Sequence, residues 1–305
     1  MADYLKRFVK WLFIRSKPVD DLADVVTAPL SEVRVAFRSD VINEMKPPQF
    51  VIGSALSVGV ERDHNEDSLY TFTASLAFDV QDLFYGFYAV ADGMGGHKHG
   101  EVASETAIRT ISSHSIRKLY APLFDTAGLP PEDSLQEIML EGILNAHSTV
   151  LEQAPEGGTT LTAALILGDR LTIAHAGDSR AYAIHSDKRL EVLTRDHSLV
   201  QRLIEIEQIT PEEAIDHPKQ NQLYRHLGQS EPFEADVFQA TLPLGGFLLL
   251  CSDGLWSVVA DDEISKIIAS APNPKVACEN LVDAANNGGG PDNISVILIQ
   301  IPENR

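Results

Sequence analysis

Cysteine is scarce in this chain: two in 305 residues, Cys251 and Cys278, far apart and without a CxxC spacing. That excludes a disulfide scaffold and a cysteine zinc cluster, and it fits a reducing compartment. Long apolar runs are missing as well. Nothing approaches the roughly 18 consecutive apolar residues that mark a membrane span. The first residues lack the apolar core and small-residue cleavage site of a secretory leader. Basic residues are the third shortage, 24 Lys and Arg against 44 Asp and Glu, for a net charge of −20. Such a balance opposes nucleic-acid binding, because phosphate backbones are gripped by surplus Lys and Arg. No internal repeat or low-complexity tract occurs, and neither does a GxxxxGK[ST] loop or HExxH. Gly93-Met94-Gly95 does not extend to GxGxxG, since Lys98 stands where the third glycine belongs. What remains, with 44% hydrophobic residues, is a globular chain expected in the cytoplasm, sized for about two domains or for one large domain with an extension.

The charge is unevenly spread. Residues 1–17 hold Lys6, Arg7, Lys10, Arg15 and Lys17 against Asp3 alone, a local +4, so the rest of the chain carries −24. Leu5, Phe8, Val9 and Leu12 fall on one helical face, flanked by Trp11 and Phe13. A basic amphipathic helix of this kind suits peripheral contact with an anionic membrane. The alternative is a helix packed on its own domain or on a partner with its lysines solvated. Residues 18–49, with Pro18, Pro29, Pro47 and Pro48, read as a linker.

Beyond it the pattern changes. Strand-like apolar or alternating runs fall at 50–59, 68–73, 84–91, 159–167, 170–177, 180–185, 234–240, 246–251 and 293–301. Helical stretches interleave at about 98–119, 132–153, 197–208, 211–216 and 261–285. Several strands follow one another across short turns such as Gly168-Asp169, which predicts antiparallel pairing and an α+β fold with sheets covered by helices.

Four times an Asp stands at the end of an apolar run beside a turn residue: Asp92-Gly93, Gly177-Asp178, Asp253-Gly254 and Pro291-Asp292. Asp-Gly is an ordinary turn former and Asp an ordinary helix cap. Four carboxylates at the tips of apolar strands, with few basic partners, are costly to desolvate unless a cation joins them. Oxygen-only ligands point to magnesium or manganese rather than zinc, and a glycine after Asp92 lets the Gly93 carbonyl approach as a further ligand. Arg62, in Arg62-Asp63-His64-Asn65-Glu66-Asp67, is either a salt-bridge partner of these acids or a planar fork for a phosphate. An arginine, several carboxylates and divalent ions are the parts of metal-assisted phosphoester hydrolysis.

The ordered set RDHNEDS (62–68), ADGMGGHKHGEVAS (91–104), GTTLTAAL (158–165), AHAGDSRAY (174–182), LTRDHSLV (193–200), LLLCSDGLW (248–256) and PDNISVILI (291–299) resembles the metal-dependent protein phosphatases of type 2C, in the bacterial stand-alone form. The resemblance covers about 49–301 and implies a four-layer α-β-β-α sandwich: two antiparallel sheets face to face with helices outside. It places an extension at 1–48 and a catalytic domain at 49–303. It implies hydrolysis of phosphoserine and phosphothreonine in proteins by a metal-bridging hydroxide, using two Mn2+ or Mg2+ ions and possibly a third, in opposition to a serine/threonine kinase. Position by position, it casts Asp92 as the bridging carboxylate, Asp253 and Asp292 as ligands of the first ion, and the Gly93 carbonyl as a ligand of the second. Glu66 and Asp67 fall where the family holds metal-bound waters or the second ion, with Asp67 and the phosphate-binding Arg62 as the catalytic pair. Asp178, with Asp253, matches a third metal position or else serves as a structural turn.

One departure concerns the general acid. Met94 stands where eukaryotic members often carry a His, leaving a metal-bound water or His97 for that role, with a plain surface residue as the competing reading of His97. The Glu-rich segment 196–232 resembles the flap of bacterial members, either a chooser of protein substrates or a passive lid. Rival readings are a small-molecule phosphoesterase or metal nuclease, a serine hydrolase using Ser179 and His175, and a catalytically inactive module sensing a phosphoprotein or ligand on the same fold. The net charge disfavours the nuclease, no triad order supports the hydrolase, and a full set of metal carboxylates speaks against the inactive module.

Overall fold

The computed structural model describes residues 50–77, 82–95, 98–124, 133–215 and 217–303. The basic helix expected over 1–17, the linker after it, and His97 lie outside the described residues. The strands, in chain order, are β1 (Val51–Ser57), β2 (Ser68–Ala77), β3 (Asp82–Ala91), β4 (Gly93–Met94), β5 (Gly158–Thr159), β6 (Leu161–Leu167), β7 (Arg170–Ala176), β8 (Arg180–Ile184), β9 (Leu190–Val192), β10 (Asp236–Ala240), β11 (Phe247–Cys251) and β12 (Ile294–Gln300). The α-helices are α1 (Lys98–Ser115), α2 (Leu135–Gln153), α3 (Leu199–Glu205), α4 (Pro211–Ile215), α5 (Asp253–Trp256), α6 (Asp261–Ser270) and α7 (Pro274–Asn287).

Two five-stranded sheets run in the orders β1-β12-β11-β8-β9 and β10-β7-β6-β3-β2, and β4 pairs with β5 in a small ladder. Every pairing is antiparallel. The apolar runs are explained by burial on both faces of a strand. Along β3, Tyr85, Phe87 and Ala89 pack under α1 and α2, while Phe84, Tyr88 and Val90 face the opposite sheet. Along β12, Val296 and Leu298 pack under α6 and α7, while Ile297 and Ile299 face inward. The period of two therefore sorts one continuous run into two cores. Three apolar layers result: helices on sheet, sheet on sheet, and sheet on helices. This is the four-layer arrangement the sequence leads one to expect.

Differences from the expected elements are local. The helical stretch 261–285 is two helices, because Pro274 supplies no N–H to a continuing helix and Asn273 caps a new one, its Oδ1 accepting from Val276 N at 3.0 Å. The run 159–167 breaks at Thr160, which leaves the ladder to bind Asp92. β9 and α5 are too short to leave a periodic signal.

Helix α2 opens on a capping box, Ser134 Oγ accepting from Glu137 N at 3.2 Å and Ser134 N donating to Glu137 Oε2 at 2.6 Å. Ser134→Ala should lower unfolding free energy by about 1 kcal/mol, measured by chemical denaturation, without changing catalysis. An unchanged midpoint would show that the box contributes nothing to holding α2 on its sheet.

Candidate active site

At one end of the sandwich, strand ends and their turns surround a cleft of about 220 Å³. Arg62 and Glu66 come from the β1–β2 loop, Asp92 from the end of β3, Asp178 from the β7–β8 turn, Asp253 from the start of α5 and Asp292 from just before β12. Gly93 and Met94 of β4, Thr160, and Asn221 and Leu223 of the segment 196–232 complete its wall. Of the described residues cast as metal ligands or as the catalytic pair, Asp67 alone does not line the cleft directly; it is buried behind it.

The acids are electrostatically interlocked. Burial, then the charges of Asp67, Asp253, Asp178 and Asp292, pushes the Asp92 carboxyl far above the ordinary carboxylate range. Burial and then the charge of Asp292 push Asp253 up to about 6. Asp178 is raised strongly by burial and by Asp253. Burial pushes Asp67 up to about 7, against the lowering effect of its Ser295 and Ser252 hydroxyl donors. Among the described residues, no three His, Cys, Asp or Glu side chains close into a ready-made coordination group. The acids share one wall, each approaching from its own element.

Divalent cations fit this wall on two observations. Asp253 Oδ1 and Asp67 Oδ1 are buried with no hydrogen-bond partner, an arrangement that is unfavourable unless a donor or cation meets them. The donor set is all oxygen, which suits Mg2+ or Mn2+.

The supports are as informative as the acids. Asn293 was not singled out from the sequence, yet its Oδ1 accepts from Glu66 N at 2.8 Å and its Nδ2 donates to the carbonyls of Val58 and His64 at 2.8 and 2.9 Å. One amide thus fastens the Arg62–Asp67 loop to the β12 end. Ser252 and Ser295 donate to Asp67 Oδ2 at 2.8 and 2.6 Å. Thr160 Oγ1 accepts from Asp92 N at 2.9 Å, and Thr159 Oγ1 donates to Asp92 O at the same distance. Asn293 and Ser252 stand next to a singled-out Asp, whereas Ser295, Thr159 and Thr160 had no such local signal. Gly93 is required by close packing: a Cβ there would enter the Gly100 and Glu66 carbonyls, and one on Gly100 would strike the Glu66 carboxylate.

Arg62 donates to Asp292 Oδ2 at 2.7 Å, so the salt-bridge reading holds in this state, on the cleft wall. His64 lies between Asp63 and Glu66, whose hydrogen bonds raise its pKa. The serine-hydrolase reading fails: Ser179 Oγ pairs with Thr160 Oγ1 at 2.7 Å, and His175 reaches Thr162 and the Arg195 carbonyl instead. Neither cysteine is a nucleophile, since both thiols are buried and shifted upward.

Comparison with known proteins agrees with this geometry. Residues 63–274 match the Protein phosphatase 2C family. The serine/threonine phosphatase stp of Listeria innocua is 37% identical over 243 residues, covering 78% of this chain and 91% of that protein. The crystal structure of the serine/threonine phosphatase PstP/Ppp of Mycobacterium tuberculosis superposes with a TM-score of 0.68 at 32% identity, covering 83% of this chain and 99% of that one. The catalytic domain of PstP in complex with two manganese ions gives a TM-score of 0.65 at 31% identity, over 83% of this chain and 100% of that one. The chain belongs to the protein phosphatase 2C family and is an enzyme of its serine/threonine phosphatase class. Divalent-metal dependence comes with the family. Among the described residues no helix is long and apolar enough to cross a membrane.

The pKa of Asp67 sets a stability test. Its carboxyl titrates near 3.8 when unfolded and near 7 when folded. Between those values the folded state holds the extra proton, so stability is lost as pH rises through the window. In chelator, Asp67→Asn should gain in melting temperature relative to the parent as pH goes from 4 to 7, and keep that gain above 7. A gap independent of pH would refute a strained, buried carboxylate.

Proposed function

We propose that the chain hydrolyses phosphoserine and phosphothreonine in protein substrates, reversing the action of a serine/threonine kinase, with the catalytic domain taken as 49–303 and a flap at 196–232. The observation that carries this reading is the interlocked set Asp92, Asp253 and Asp178, with Asp292, beside Arg62 in one cleft.

Asp92, Asp253, Asp292, the Gly93 carbonyl and Glu66 would hold two divalent ions, Mn2+ or Mg2+, and Asp178 with Asp253 would hold a third. Bound there, such ions supply Lewis-acid activation of water and neutralise phosphoryl charge, which removes the need for a covalent phosphoenzyme. The chain's own contributions are more specific. Asp92, approached by the charges of four other aspartates, is the natural shared ligand at the centre of the wall. Asp67, held by two serine hydroxyls with Oδ1 facing no partner, is placed to accept or orient a proton of water behind the ligands. Arg62 offers a planar fork next to the acids, and half of its side chain is exposed at the mouth, where a phosphoryl group would enter. Asn221 and Leu223 bring the flap to the same cleft, which supports its part in choosing protein substrates. Met94 lines the cleft and cannot donate a proton, so the leaving alkoxide takes its proton from water or from His97.

The decisive experiment is phosphate release from a phosphothreonine peptide by the purified chain. Release should require Mn2+ or Mg2+, stop in chelator and return on re-addition; none at saturating cation with the fold intact would refute the proposal. Asp92→Asn and Asp253→Asn should each lower kcat at least about a hundredfold, as expected when several kcal/mol of charge stabilisation is removed. Arg62→Ala should act mainly on KM, by about ten- to a hundredfold for a lost charge-assisted contact. An unchanged KM would assign Arg62 to its salt bridge alone.

A further inference from the structure

Behind the cleft, the turn carrying Asp178 is gripped from two sides by residues outside the ligand set. On one side His197 makes two bonds to a single residue: its backbone N donates to the Gly177 carbonyl at 2.8 Å, and its Nδ1 accepts from Gly177 N at 3.1 Å. A backbone N–H can only donate, so Nδ1 carries no proton and Nε2 does. Nε2 then donates to Asp236 Oδ2 at 3.1 Å, while Arg225 donates to Asp236 Oδ1 at 2.8 Å. Arg225 also passes 3.2 Å from Nε2; with both groups donors, that approach is not a bond, and Asp236 is what draws them together. Gly177 itself cannot yield, having φ +115° and no room for a Cβ beside Thr160.

On the other side the indole of Trp256 donates to the Asp178 carbonyl at 2.9 Å. The Arg180 guanidinium lies 3.6 Å from the centre of that ring and binds Asp196, the residue before His197, through Nε at 3.0 Å and Nη2 at 2.7 Å. His197 in turn roots the flap. Its carbonyl accepts from Tyr224 N at 2.9 Å, Ser198 bridges Leu223, and Leu199 N donates to the Gln222 carbonyl at 2.8 Å. Leu223 and Asn221 are the flap residues lining the cleft.

We infer that His197 is a positioning residue that couples the flap to Asp178, so that cation binding at Asp178 and the placement of Asn221 and Leu223 change together. The inference rests on the metal reading above. It assigns no proton transfer and no ligand to His197, which is buried with 2% of its side chain exposed. Its physical content is a rigid link of backbone hydrogen bonds from the Gly177 turn, through one imidazole, to the strand-like segment at 222–224. Trp256 makes the link observable, because its indole touches the turn and the only other tryptophan, Trp11, lies far away in sequence.

The test uses the full chain with Trp11→Phe, so that emission reports Trp256 alone, and Mg2+ as titrant. Asn places an acceptor where Nδ1 stands and so keeps the Gly177 bond; Gln places a donor where Nε2 stands and keeps only the Asp236 bond. His197→Asn should retain the parent's Mg2+ midpoint within about twofold, and His197→Gln should raise it by about tenfold, the low end for loss of a residue supporting a metal ligand. The same pair should split on phosphopeptide KM. Equal midpoints in both variants, equal loss in both, or a parent whose Trp256 emission ignores Mg2+ would each overturn the coupling. A second measurement needs no variant: amide exchange at Gly177 and Tyr224 should slow together on adding Mg2+, and independent behaviour overturns the inference. Phosphate release by the parent keeps the two claims apart. Release with an unresponsive Trp256 leaves the phosphatase reading standing and removes the coupling, whereas absence of release removes the phosphatase reading.

Discussion

Ionised carboxylates held side by side out of water repel one another, and much of this fold is arranged around that repulsion. Asp92, Asp178 and Asp253 all sit well above the ordinary carboxylate range because they are buried together. Left alone, such a group would be expelled to solvent. It stays because each acid is fixed by its neighbours: Asp92 at its backbone by Thr159 and Thr160, Asp178 at its backbone by Trp256 and the Gly177 turn, and Asp67 at its carboxylate by two serines. The affinity for cations and the strain on the protein without them are one property seen from two sides.

The three apolar layers supply the rigidity this requires. Strands buried on both faces cannot slide without exposing one core or the other. Their ends are therefore fixed in space to the extent that their middles are packed. Asn293 then joins the end of β12 to the loop holding Arg62 and Glu66, so the two ends of the catalytic region, more than two hundred residues apart, meet through one amide.

Legibility in the sequence followed the kind of interaction. The sheets could be read because Tyr85 to Val90 or Val296 to Ile299 carry apolar residues on both faces, and such a run is their direct imprint. The acids could be read because a carboxylate at the tip of an apolar run conflicts with its setting. Asn293, Ser252 and Ser295 could not, since a polar residue beside a turn looks the same whether it faces water or supports an aspartate. The split near Pro274 could have been anticipated from the proline and the capping Asn273; amphipathic periodicity on both sides masked it. His197 gave no signal of its own, because its partners Gly177 and Asp236 lie 20 and 39 residues away.

The close approach of Gly93 and Gly100 has a consequence for how such a molecule can diversify. Where main chain meets main chain there is no side chain to exchange, so this contact offers variation nothing to act upon. Novelty in what is bound must then arise at the periphery, in segments whose residues reach the cleft by their tips. The chemistry is thereby insulated from the choice of target, and one can drift across lineages while the other stands still.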